Sequence, residues 1–188
     1  MKMKVLALMC VVGASLAGAQ TTNWKFDPAH SSADFTIRHM GISNVHGHFG
    51  NVNGTVALDE KDITKSAVKA TVDTTTVNTG VAQRDGHLKS PDFFDVAKFP
   101  QMTFVSKQIT NSDGKLQMSG DLTMHGVTKS VTLDLDGPSK ELVDAKGVAK
   151  RGMSATTSIH RADYGLNYGN GMLGDDIKVS LDVEMIKQ

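Results

Sequence analysis

Ile177-Lys178-Val179-Ser180-Leu181-Asp182-Val183-Glu184-Met185 alternates apolar and polar side chains without a break. Successive side chains of a strand point to opposite faces, so this run has one dry face and one wet face. Strands of a purely parallel sheet are covered on both sides and read as continuous apolar runs, so the pattern predicts an antiparallel sheet. The same reading extends outward. Ala33, Phe35 and Ile37 oppose Ser32, Asp34, Thr36 and Arg38; Val68, Ala70 and Val72 oppose Lys69, Thr71 and Asp73. Leu116, Met118, Leu122 and Met124 share a face, as do Val131, Leu133 and Leu135.

Turn signals separate these runs. Asp113-Gly114 and His125-Gly126 each suit a two-residue hairpin turn, which needs positive φ at both positions. Asn53-Gly54 reads as a bend and bulge within one long strand, because a turn there would leave two very short strands. Two stretches break the pattern. In Thr79 to Asp95, Ser90-Pro91 reads as a helix N-cap followed by proline at the first helical position. One or two short helical segments are therefore expected across a barrel end, with Phe93 or Phe94 turned inward. Tyr164 to Asp175 is rich in glycine and asparagine and reads as a long loop before the last strand.

About eight strands on one apolar-in plan predict an all-β chain, an eight-stranded antiparallel barrel. Such an interior is either filled by side chains or holds one small ligand. Aromatic residues are only 5% of the chain, so few rings are available to plug the centre. A flattened sandwich packed solid is the alternative.

Lys2 and Lys4 precede an apolar run from Val5 to Leu16, and Ala17-Gly18-Ala19 follows. This predicts a signal peptide over 1–19 with cleavage before Gln20, and one domain over 20–188 that is periplasmic or secreted. The apolar run is short for a membrane span, and no later segment suits one. Cys10, the single cysteine, lies inside the leader, so disulfides, thiol catalysis and zinc–cysteine sites are excluded from the mature chain. A formal charge near zero argues against nucleic acid as a partner.

The ordered motifs resemble the YceI-like family of exported, lipocalin-like, polyisoprenoid-binding proteins. They begin with Asp27-Pro28-Ala29-His30-Ser31, Phe35 and His39, then Gly47-His48-Phe49 and Asn53-Gly54-Thr55. Arg84-Asp85-Gly86-His87-Leu88-Lys89-Ser90-Pro91-Asp92-Phe93-Phe94-Asp95 is the densest segment. Gly120-Asp121-Leu122-Thr123-Met124-His125-Gly126 and Arg161-Ala162-Asp163-Tyr164-Gly165 complete the set. The resemblance runs from Trp24 to about Glu184. It implies an apolar tunnel that takes an isoprenoid or quinone-like lipid, and it supplies no catalytic residue. Two departures bear on the head group: histidines flank Gly47, and His160 precedes Arg161.

The expected tunnel lining is Phe35, Ile37, Phe49, Val72, Phe104, Leu116, Met118, Leu122, Leu133, Val179, Leu181 and Val183, with Phe93 or Phe94 at one end. Each of these also suits ordinary core. Arg84, Asp85 and His87 form the best polar cluster; Arg84 could meet a phosphate or quinone oxygen, or the cluster could tie down its own loop. His39 shares the face of Phe35 and Ile37 and could donate to a ligand. His46 and His48 lie on one face of a strand, but no third metal ligand is identifiable by spacing, so neither a metal nor a cofactor is expected. No nucleophile elbow, phosphate loop or HExxH motif is present. The function expected is non-catalytic sequestration or carriage of a long-chain lipid. An envelope stress or protein-interaction barrel and, more remotely, a small-molecule enzyme are the alternatives. A homodimer formed through an open edge or mouth is compatible with the chain.

Overall fold

The computed structural model describes residues 21–188; the leader expected over 1–19 lies outside the described residues. In chain order the strands are β1 (Thr21–Phe26), β2 (Ser32–His39), β3 (Ser43–Phe49), β4 (Val52–Asp59) and β5 (Ala67–Asp73). Helix α1 (Ala82–Lys89) follows, then β6 (Gln101–Ser112), β7 (Lys115–Met124), β8 (Val127–Asp136), β9 (Leu142–Val143), β10 (Ala149–His160) and β11 (Leu173–Lys187).

These strands make eight staves. β1 and β2 are one stave kinked by the turn at Pro28–His30, where Asp27 accepts the Ala29 N–H at 3.0 Å. β3 and β4 are the next, broken at Gly50-Asn51, where Asn51 takes a φ of 51°. The chain then meanders through β5, β6, β7, β8 and β10, all antiparallel, with β9 a short arm on β10. β11 closes the ring. One edge pairs with β10 from Ile186 to Asp176, and the other pairs with β2 from Leu173 to Asp182 and with β1 from Met185 to Lys187. The eight-stranded antiparallel barrel is thus the fold. Both hairpin turns are as the sequence implies, with φ of 52° and 82° at Asp113-Gly114 and 50° and 76° at His125-Gly126.

Three local readings change. Asn53-Gly54 is not a turn, but the break in that stave falls earlier, at Gly50-Asn51; Gly54 lies in regular β4 opposite Ala70, and a Cβ there would sit 2.6 Å from the Phe26 ring, which is why the position is glycine. Ser90-Pro91 ends a helix rather than starting one. The Ser90 N–H and Oγ both donate to the His87 carbonyl, at 3.0 and 2.7 Å, and Pro91 cannot continue the ladder. The loop before β11 is shorter than Tyr164 to Asp175, since a 3-10 turn spans Arg161–Tyr164 and β11 begins at Leu173.

The lower end of the barrel, where β1 starts and β11 finishes, is shut. Trp24 is 1% exposed there, and its Nε1 donates to Thr22 Oγ1, which donates to Glu60. Arg151 and Lys187 lie over the indole ring at 5.3 and 5.5 Å and pair with Glu60 and Glu141, at 2.9 and 3.0 Å. A large apolar ring under cations combines burial with cation–π attraction. The upper end differs. β8 and β10 pair over only three positions, Asp134 to Asp136 against Ser154 to Thr156, and the wedge above is filled by Tyr164, Met124 and Leu166.

Trp24→Ala is expected to cost about 3–5 kcal/mol in urea unfolding followed by far-ultraviolet circular dichroism; a loss under about 1 kcal/mol would show that the floor is not rigidly packed. The buried Tyr164 hydroxyl has no hydrogen-bond partner among the described residues, and burial pushes its pKa up. Tyr164→Phe is therefore expected to leave stability unchanged or raise it by about 1 kcal/mol in the same assay.

Candidate functional site

The inner face does not fill the barrel. Val179, Leu181 and Val183 point inward from β11 yet remain only partly buried, because they border an internal cavity of about 170 Å³. Its wall is almost wholly aliphatic, methionine and phenylalanine. The rings that could have plugged it lie against the wall instead. A Cβ on Gly47 would stand 2.3 Å from the Phe35 ring across the strand pair, and one on Gly120 would stand 2.4 Å from the Phe104 ring. Both glycines are recesses into which an aromatic side chain folds, a cross-strand pairing of ring over glycine.

Above this cavity lies a second, the mouth, of about 450 Å³. The two share Phe35, Phe94, Met124 and Ile159 as wall residues, so interior and mouth are adjoining apolar spaces with these four side chains between them. Phe94 sits edge-on to Phe49 at 5.3 Å between ring centroids. At the top, His87, Phe93 and Tyr168 pack as three rings with centroids 4.8 to 5.2 Å apart.

Most of the residues expected from the sequence meet here. Phe49, Val72, Phe104, Met118, Leu122, Leu133, Val179, Leu181 and Val183 line the interior, and Phe35 and Phe94 line both spaces. Ile37, His39, Arg84, His87 and Phe93 line the mouth. Two expected residues do not line the passage. Leu116 starts β7 near the shut end and packs into the core beneath the cavity. Asp85 is spent on its own loop, accepting the Thr79 N–H at 2.8 Å and the Thr79 hydroxyl at 2.5 Å. Arg84 also holds Thr79, through its hydroxyl at 2.7 Å and its carbonyl at 2.9 Å, while its side chain borders the mouth.

Arg161 is the main residue that sequence reasoning passed over. It is 4% exposed and borders the mouth, and its guanidinium donates to the carbonyls of Gly174, Leu166, Tyr168 and Leu173 and to Asn170 Oδ1. A buried cation is here held by backbone oxygens, and it shapes the loop over 165–174 around itself. Its position after β10 was visible in the sequence; its convergence with Arg84 was not. Two arginines and two histidines border the mouth, and among the described residues no carboxylate side chain does.

The histidines away from the passage do other work. His46 and His48 are exposed, and His46 bonds Thr36 at 3.0 Å. Among the described residues, Asp27, His30 and Glu184 come within metal-ligand reach of one another. His30 instead hydrogen-bonds Asp27 at 2.8 Å and Glu184 pairs with Lys150 at 2.7 Å, which accounts for the group without a metal.

A model of the YceI-like domain matches residues 24–185. The chain belongs to the YceI family. The YceI protein of Escherichia coli is 35% identical over 178 residues, covering 93% of this chain and 92% of that one. The UPF0312 protein VPA0850 of Vibrio parahaemolyticus is 36% identical over 170 residues, covering 87% and 88%. Among solved structures, the YceI protein of Campylobacter jejuni aligns with a TM-score of 0.71 at 32% identity, covering 81% of this chain and 90% of that one. A polyisoprenoid binding domain from Saccharophagus degradans aligns with a TM-score of 0.65 at 15% identity, covering 88% and 98%, and shares the fold.

In this YceI chain the two Thr79 bonds hold the Asp85 carboxyl below its ordinary value of 3.8. A depressed folded value means the stabilisation is whole above pH 3.8 and is lost as pH falls through the lowered value. Asp85→Asn should lower the melting temperature at neutral pH, and the gap to wild type should close in acid. A gap that widened in acid would contradict this assignment.

Proposed function

We propose that this YceI barrel is a non-catalytic container for an isoprenoid or similar long-chain lipid, acting outside the cytoplasm as the leader Ala17-Gly18-Ala19 implies. The observation that carries this is the pair of adjoining apolar spaces, interior and mouth, closed below at Trp24, whose inward side chains leave space rather than fill it. The polyisoprenoid-binding character of the Saccharophagus degradans domain supports the choice of ligand.

The mechanism is sequestration. An apolar tail leaves its lipid surroundings and enters past Phe94 and Phe35 into the interior. Burying ~400 Å² of apolar surface releases on the order of 10 kcal/mol before the freedom lost by the chain is subtracted. That attraction has no direction, so chain identity is read loosely by length and width. The head group remains at the mouth, which Arg84, Arg161, His39 and His87 border and no carboxylate lines, while the Asp92 carboxylate behind His87 lies 2.8 Å from its Nε2. This favours a head with electron-rich oxygens, such as a phosphate or quinone carbonyls, over a cationic one.

Leu181→Trp tests the reading, since Leu181 faces the interior cavity from the middle of β11. Enlarging a side chain in a filled core costs about 1–3 kcal/mol. In a hollow barrel the ring occupies the space meant for ligand, so the variant is expected to fold with wild-type stability and bind a prenyl lipid about tenfold more weakly or worse. Undiminished binding, measured by equilibrium titration in detergent, would place the ligand elsewhere. A severe loss of stability would show that the interior is solid.

A further inference from the structure

The mouth opens through a surface where five of the eight exposed large apolar side chains among the described residues gather. Ile42 is 77% exposed, Met40 59%, Met172 55%, Tyr168 47% and Val81 46%. They come from three loops far apart in sequence, and the Met40 N–H bonds the Met172 carbonyl, which joins two of those loops. Tyr168 and Met172 border the mouth cavity as well as solvent, so rim and passage are continuous.

The charge pattern says what this rim can face. Residues 39–47, 77–83 and 164–174, which carry these side chains, contain no Asp, Glu, Lys or Arg, in a chain where 21% of residues are charged; the charges at this end lie beside them, among them Arg84, Asp92 and Asp163. The opposite end carries both signs in its loops, including Lys61, Asp62, Lys65, Glu141, Asp144 and Lys146. Just outside the rim Arg38 is fixed by bonds to the Gly41 carbonyl and Asn44 Oδ1, both at 3.1 Å. The nearby acids Asp175 and Asp176 sit at the root of β11 beside His160, which is 2.8 Å from Asp176. Several loop carbonyls are already engaged by Arg161 and Arg38. The rim thus offers apolar area with little directional bonding, set beside a cation. Protein interfaces of ordinary size use about ten hydrogen bonds, whereas a bilayer surface asks for apolar insertion and cations near phosphate.

We propose that this rim docks on a phospholipid bilayer, so that ligand passes between bilayer and cavity without crossing water. The proposal rests on the lipid reading above. It gives the barrel an orientation: mouth against the membrane, charged floor toward the aqueous side.

The test compares the full protein with Ile42→Glu/Val81→Glu, two exposed rim positions outside the cavity wall, and with Leu142→Glu/Val143→Glu at the other end. Vesicles of phosphatidylethanolamine and phosphatidylglycerol, with and without a fluorescent prenyl lipid, are mixed with each protein and sedimented. The rim variant is expected to lose about tenfold or more in vesicle binding and in the rate of uptake from vesicles. Its equilibrium binding of the same lipid delivered in detergent should match wild type, and the floor variant should match wild type throughout. Equal uptake rates from vesicles for wild type and rim variant overturn the proposal, as does uptake that needs an added protein partner. Wild type that sediments with vesicles yet takes up no prenyl lipid in any format overturns the ligand reading instead and leaves the docking standing.

Discussion

Closing an antiparallel sheet through β11 fixes the width of the lumen by strand number and tilt, and the side chains must then live with that width. Everything else in the molecule follows from the mismatch between the ring and what lines it. The inward positions are mainly valine, alanine, leucine and methionine, and the inward phenylalanines are drawn aside. Phe35 and Phe104 lie in the recesses left by Gly47 and Gly120, so the bulkiest groups thicken the wall rather than fill the centre. A barrel with the same strands but alanine at those glycines would push both rings into the passage.

The two ends solve opposite problems. At the floor, Trp24 is covered by Arg151 and Lys187, which are paired to Glu60 and Glu141, so the lumen is sealed by one large ring under a charged lattice. At the mouth the strands part, and the opening is framed by loops that buried or loop-bound charged groups hold in shape. Arg161 turns the loop over 165–174 around itself, and Arg84 with Asp85 turns the start of α1 around Thr79. Charged groups therefore build both ends, but at the floor they cover the core and at the mouth they hold loops in place around an apolar entrance.

Period-two alternation made the staves and most of the lining legible, because it depends only on which face of a strand a residue occupies. The hairpins at Asp113-Gly114 and His125-Gly126 were equally local. Legibility failed where a residue's role depends on height in the barrel or on partners distant in sequence. Leu116 has the right face but lies too near the floor, and alternation carries no information about height. Asp85 has the right neighbours, but its carboxylate turns to Thr79. Ser90-Pro91 carries the chemistry of both a helix start and a helix stop, and only the hydrogen bonds to His87 decide between them. Arg161 meets Arg84 across the mouth only once β10 and α1 are in place. The rim is visible in the sequence as three uncharged loops, but their meeting is a property of the closed ring.

The central claim is that the hollow barrel exists to hold a long apolar molecule. The most direct measurement is native mass spectrometry of the protein recovered from its own cells, followed by organic extraction of whatever accompanies it. The account predicts one stoichiometric mass increment that extraction removes and that proves to be a long-chain lipid with an oxygen-rich head. Protein at its bare sequence mass, which also refuses added prenyl lipids and quinones, would contradict it.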